Sequence, residues 1–121
     1  MKVHRQLGPG FLESVYRNAL AFELRRAGLS VNLESHLTVK YEHVIVGDFI
    51  ADLVVNELIV CELKAATALS KADEVQLVNY LTATNHDAGL LLNFGAESLQ
   101  FKRKHRRKLS CPEDVDLRNP V

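Results

Sequence analysis

No stretch of this sequence approaches the roughly 20 consecutive apolar residues that a membrane-spanning helix requires. Its first residues, Met1-Lys2-Val3-His4-Arg5-Gln6, lack the apolar run of a secretory signal. A soluble, cytoplasmic protein with no membrane partner is the expectation. Cysteine is scarce: Cys61 sits inside an apolar run and Cys111 in a polar stretch, offering neither a disulfide framework nor a CxxC metal pair. The five histidines, His4, His36, His43, His86 and His105, share no HxxxH or His/Cys spacing suited to zinc, and all five read as surface or loop residues. Internal repeats and low-complexity tracts are missing too.

What is present suffices for one core. With 121 residues, 47% of them hydrophobic, the chain has room for a single domain, expected over residues 1–108. Residues 109–121, with two prolines and mixed charge, read as a flexible tail. The formal net charge of zero hides an uneven layout. Residues 1–101 carry eight Lys/Arg against twelve Asp/Glu, whereas Lys102-Arg103-Lys104-His105-Arg106-Arg107-Lys108 holds six permanent cations and no acid. A polyanion would meet that segment first, so Lys102, Arg103 and Lys104 are candidate phosphate contacts.

Hydrophobic periodicity gives the order α-β-β-β-α-β-β, an α/β chain with roughly five strands and flanking helices. Leu7-Gly8-Pro9-Gly10 reads as a turn. Leu12, Val15, Ala19 and Phe22 then recur at helical spacing, predicting a helix over 11–27. Residues 30–42 alternate, and 44–55 and 58–63 are β-branched runs forming a hairpin. Ser70-Lys71-Ala72-Asp73 resembles a capping box opening a helix over 70–84. Residues 88–94 and 99–102 supply the last strands.

Charge interrupts these strands in two places: Asp52 within Gly47–Val55, and Glu62-Leu63-Lys64. Buried charges need a partner or a metal. Alternation puts Glu62 and Lys64 on one face. Asp52 joins them only if it lies opposite Glu62, which demands a three-residue turn, Asn56-Glu57-Leu58; a two-residue turn sets it opposite Cys61. In the first register two neighbouring carboxylates repel unless a cation lies between them, and oxygen ligands suit Mg²⁺ or Mn²⁺. Such an ion polarises a phosphate and acidifies an attacking water, while Lys64 orients or deprotonates that water or stabilises transition-state charge. An arbitrary ExK in a strand, by contrast, is most often a surface ion pair.

An acidic residue ten positions ahead of an ExK, with a helix following, resembles the core of the PD-(D/E)XK nucleases. Gln76-Leu77-Val78-Asn79-Tyr80 resembles the QxxxY motif of their RecB-like branch, and Gly10-Phe11-Leu12-Glu13-Ser14-Val15-Tyr16 the signature of the GxxExxY protein family. The likeness runs from about Val3 to Lys102 and takes in Ala51–Val55 and Leu91-Leu92-Asn93-Phe94-Gly95. It implies a restriction-endonuclease-like fold and a Mg²⁺- or Mn²⁺-dependent nuclease acting on DNA. Asp52 and Glu62 would be metal ligands, Lys64 the catalytic lysine, Glu13 a further acid with Tyr16 beside it, and Gln76 and Tyr80 substrate contacts. It also gives His4 a candidate catalytic role, since RecB-like nucleases often carry an upstream histidine. Two departures stand out: Ile50 occupies a position where the resemblance leads to arginine, and the segment ahead of Gly8 is shorter than the usual first helix. The second leaves open an uncovered sheet face, and with it a homodimer or an incomplete chain. Two readings compete with the nuclease: a nucleic-acid-binding protein that cuts nothing, and a regulatory homodimer whose helix 11–27 packs on a partner.

Overall fold

A computed structural model describes residues 2–107; Lys108, Cys111 and the tail expected over 109–121 lie outside them. Five strands, β1 (Val31–Tyr41), β2 (Val44–Val55), β3 (Ile59–Lys64), β4 (Ala88–Asn93) and β5 (Gln100–His105), make one sheet in chain order. Neighbours are antiparallel except β3 and β4. That parallel pair needs a crossover, and α3 (Lys71–Thr84) provides it.

Two further helices precede the sheet: α1 (Lys2–Leu7) and α2 (Glu13–Arg26). The mixed sheet flanked by helices is the expected class, with α1 as an added element. Its six residues are too few to display a helical period, so only the turn behind α1 was legible. There Gly8, at φ 70°, donates its N–H to the His4 carbonyl. His4 is the correction that follows. It is not a surface residue but is 6% exposed on α1, with Nε2 bonded to the Ala96 carbonyl at 2.9 Å and its ring tilted against Phe94.

Each face of the sheet has its own core. Tyr16, Leu20 and Ala21 of α2 pack on Val31, Leu53, Cys61, Leu63, Leu92 and Phe94. Leu77 and Leu81 of α3 pack on Ala51, Val54, Val60 and Leu91. The sheet thus covers the face of α2 that carries Tyr16, Leu20 and Ala21, whereas Leu12, Val15 and Phe22 of the predicted stripe are exposed. Ser70 caps α3 as expected: its Oγ accepts from Asp73 N at 3.1 Å, and Asp73 Oδ2 accepts from Ser70 N at 3.1 Å.

Tyr16, fully buried, stacks on Phe94 with ring centroids 4.7 Å apart. Its hydroxyl donates to the Gly8 carbonyl at 2.5 Å and accepts from Phe11 N at 3.1 Å, pinning the loop between α1 and α2. Tyr16→Phe leaves both backbone groups without that partner. It should lower stability by about 1–3 kcal/mol in urea denaturation; an unchanged midpoint would show that the loop does not depend on this hydroxyl.

One irregularity sets the shape of the site. Leu33 pairs with Leu53 and Ser35 with Ala51, and between them Glu34, at φ 49°, stands across from Asp52. The left-handed residue rotates the strand, so Leu33 joins the α2 core while Leu37 and Phe49 join the α3 core. The far half of the β1–β2 hairpin thereby curls over α3, where Phe49 stacks on Tyr80 at 3.9 Å and 13°.

Candidate active site

The hairpin has the register that unites the charged residues. Leu53 faces Cys61, Val54 faces Val60 and Val55 faces Ile59, with the three-residue turn Asn56-Glu57-Leu58 between the strands. Asn56 and Glu57 both take left-handed φ, at 52° and 60°. The next pair outward is Asp52 with Glu62. There side chains replace the backbone ladder: Glu62 Oε1 accepts from Asp52 N at 3.1 Å, and Asp52 Oδ2 accepts from Leu63 N at 2.8 Å. Each carboxylate is thus anchored to the other's strand.

Cys61 and Leu63 belong to the α2 core, so alternation puts Glu62 and Lys64 on the α3 side. Burial first, and then the charge of Asp52, pushes the Glu62 carboxyl up to about 8. The Asp52 backbone N–H and the Lys64 ammonium oppose this without cancelling it. Such a carboxyl gains from a nearby cation, and two hard oxygen donors fit Mg²⁺ or Mn²⁺, which characteristically binds one or two protein carboxylates together with substrate phosphate and water. Among the described residues no third His, Cys, Asp or Glu completes a metal cluster with them. Cys61 plays no part: burial, aided by Glu62 and Asp52, raises its thiol to about 12.

Lys64 ends β3, half-buried, with Nζ 3.9 Å from Asp73 Oδ1. Asp73 was legible only as a capping residue, yet its carboxylate both caps α3 and meets the candidate catalytic lysine. Past Lys64 the chain is fixed by Asn93, which is fully buried. Asn93 Oδ1 accepts from Ala66 N at 3.0 Å and Gly95 N at 3.1 Å; its Nδ2 donates to Ala66 O and Gln100 Oε1, both at 2.9 Å. Phe94 N donates to Lys64 O at 2.9 Å. The Leu91–Gly95 segment thus works as a clamp on the backbone behind Lys64, and its sequence signal was a lone polar residue closing an apolar strand.

Among the described residues the other expected site residues form no hydrogen bond or ion pair with Asp52, Glu62 or Lys64. Glu13 is exposed on the first turn of α2, on the far side of the sheet, and has no hydrogen-bonded or ion-paired partner among the described residues. Tyr16, three residues on along the same helix, is buried in the core. Gln76 is exposed, and Tyr80 spends its ring on Phe49; neither bonds to Lys64 among the described residues. The basic run is divided by strand alternation. Lys102 lies across from Leu91, on the α3 side, while Arg103 lies across from Leu90 on the other face. Lys104, on the α3 side, meets Glu74 at 2.6 Å, and Arg106 meets Asp87 at 2.7 Å.

A family model described as the PD-(D/E)XK nuclease superfamily matches residues 1–107. No curated protein matches the chain. Among solved structures, the crystal structure of SSO0001 superposes with a TM-score of 0.59 at 16% identity, over 88% of this chain and 58% of that one. An alkaline exonuclease (LHK-Exo) from Laribacter hongkongensis superposes with a TM-score of 0.55 at 11% identity, over 78% of this chain and 56% of that one. The chain therefore spans a little over half the length of either neighbour, and at these identities the likeness is one of fold.

Proposed function

The chain belongs to the PD-(D/E)XK nuclease superfamily, and on that premise we propose that it is a metal-dependent nuclease hydrolysing phosphodiester bonds of DNA, with Asp52 and Glu62 holding Mg²⁺ or Mn²⁺. The observation that carries this reading is the Asp52–Glu62 pair: two carboxylates interlocked through each other's backbone, one pushed up by burial, with an ammonium on the same face. When bound, the ion supplies a Lewis acid for the phosphate and acidifies the attacking water.

The remaining work falls to the chain. Asp52 and Glu62 present fixed oxygens because their free rotation is already spent on the hydrogen bonds to Asp52 N and Leu63 N. Lys64 brings positive charge to the side of the sheet where negative charge grows on the phosphoryl oxygens. Asp73 restrains that ammonium from the N-terminus of α3. Tyr80 and Phe49 join the hairpin to α3 beside the site, and Gln76, one turn ahead of Tyr80, is free to meet substrate.

The decisive test is cleavage of labelled single-stranded, duplex and branched DNA with Mg²⁺ or Mn²⁺. Wild type should cut, and Asp52→Ala and Lys64→Ala should each lose about 1000-fold or more, equivalent to some 4 kcal/mol of transition-state stabilisation. A folded wild type that cuts none of the substrates would transfer the reading to a binding protein that keeps the nuclease fold.

A further inference from the structure

A groove of about 220 Å³ runs between α3 and β5, lined by Lys71, Glu74, Val75, Val78, Lys104 and Arg107. We propose that this groove binds the phosphodiester backbone of a polynucleotide, with Lys71, Lys104 and Arg107 as its cations and Glu74 as a built-in counter-ion that a phosphate displaces. The proposal rests on the nucleic-acid reading above and adds to it a second contact region outside the catalytic pair.

The balance of charge is the first argument. Three cations and one acid line the groove, and Lys102 adds a fourth cation close enough to act on Glu74. Glu74 is held below the usual carboxylate range by its hydrogen bond to Lys104 above all, helped by the charges of Lys104, Lys102 and Lys71. Its Oε1 lies 2.6 Å from Lys104 Nζ, with side chains only 16% and 25% exposed. Among the described residues Lys71, Lys102 and Arg107 form no ion pair of their own. Arg107 Nη1 is bonded to the neutral Asn79 Oδ1 at 2.7 Å, which orients the guanidinium without neutralising it. One carboxylate thus stands amid an excess of positive charge, in the position a phosphate oxygen would take.

Position is the second argument. Strand alternation sends Lys102 and Lys104 to the α3 side and Arg103 away, which sorts the basic run into groove members and bystanders. Across the sheet Glu62 pairs with Leu91 and Leu91 with Lys102, so Lys102 stands two strand spacings, about 10 Å, from the candidate metal ligand on the same face. Lys71 opens α3 two residues ahead of Asp73, which meets Lys64. The cations therefore begin at the rim of the catalytic pair and continue down the helix. Val75 and Val78 give the groove an apolar wall, suited to a sugar-phosphate chain more than to a small inorganic anion.

Binding is measured by fluorescence anisotropy on labelled single-stranded DNA, duplex DNA and RNA, in EDTA so that nothing is cut, across a salt series. The triple variant Lys71→Gln, Lys104→Gln, Arg107→Gln should weaken binding by roughly 30-fold or more at 0.1 M salt and flatten the logarithmic salt slope by about 2–3, close to one for each phosphate no longer neutralised. Glu74→Gln should do the opposite and tighten binding about 3–10-fold, a gain that damage to the fold cannot produce. Preference among the three probes names the source of the backbone. A triple variant with wild-type affinity and slope, a Glu74→Gln protein that binds no better, or a wild type that binds none of the probes overturns the groove. Metal-dependent cleavage by the wild type beside an unaltered triple variant would sink the groove and keep the nuclease; groove-dependent binding without cleavage would do the reverse.

Discussion

In EDTA, the stability of the wild-type protein should fall as pH rises from about 5 to about 8, and Glu62→Gln should remove that fall. The unfolded Glu62 carboxyl titrates near the ordinary value of 4.5, whereas in the folded protein burial and Asp52 hold it up to about 8. Between those values the folded state keeps a proton that the unfolded state has released. The linkage slope is then negative: this contribution is fully present below the unfolded pKa and is lost as pH climbs through the folded one. Every pH unit that separates the two titrations is worth about 1.4 kcal/mol, so even with partial solvent relief the loss should reach about 2 kcal/mol or more by pH 9. Glu23, Asp73 and Glu74 are held low instead, and their contributions disappear only in acid, outside this window. A cation replaces the retained proton. Millimolar Mg²⁺ should therefore raise the wild-type Tm more at pH 8.5 than at pH 6 and leave Glu62→Gln nearly unmoved, by a margin of about 2.7 kcal/mol if the ion is at 100 times its Kd. Thermal unfolding of both proteins at several pH values, with and without Mg²⁺, decides it. A parallel pH slope in the two proteins would overturn the raised Glu62 titration, and an intact Mg²⁺ response in the variant would remove Glu62 from the proposed metal site.

Much of this could be read from residue order because the site lies on a hairpin, where register follows from turn length. The condition that Asp52 face Glu62 required three turn residues, and Asn56-Glu57-Leu58 supply them through two left-handed φ values. Capping chemistry located α3, and the alternation of Cys61, Glu62, Leu63 and Lys64 assigned their faces. What escaped was non-local. The alternating pattern of β1 puts Leu33 and Leu37 on one face, but with the left-handed Glu34 between them they join different cores, and Phe49, on the α3 side with Leu37, stacks on Tyr80. His4 reads from sequence as a surface residue because its acceptor, Ala96, lies 92 positions away. The basic run looked like one patch; strand geometry splits it, and Glu74, Asp87 and Asn79, remote in sequence, engage its members. The candidate catalytic carboxylates leave a mark in sequence because charge in a strand is rare, whereas the groups that position them use ordinary residues whose partners are set by the fold.

Gly95→Ala should be the most damaging single methyl group that can be added near the site. A Cβ at position 95 would run into Ala66 O and stand 2.5 Å from Ala66 N and 2.6 Å from Ala65 C, all of them in the backbone and none able to rotate aside. The 65–66 segment must retreat, and with it go the Asn93 bonds to Ala66 N and Ala66 O, which leaves a fully buried carboxamide unsatisfied. Overpacking and the orphaned amide together should cost about 3 kcal/mol or more. The loop begins at the residue after Lys64, whose own carbonyl accepts from Phe94 N, so the displacement also reaches the ammonium. A shift near 1 Å is enough to lower turnover about 100-fold. Asp52 and Glu62 are held by separate bonds, to Leu63 N and Asp52 N, and should still bind the ion. The signature is therefore a protein with a depressed Tm and a collapsed kcat whose remaining folded fraction keeps its Mg²⁺-induced stabilisation. Asn93→Ala should share that signature without the steric term. If Gly95→Ala unfolds at the wild-type temperature, or if it loses Mg²⁺ binding together with turnover, the clamp does not act on Lys64 and the two halves of the site are not independently held.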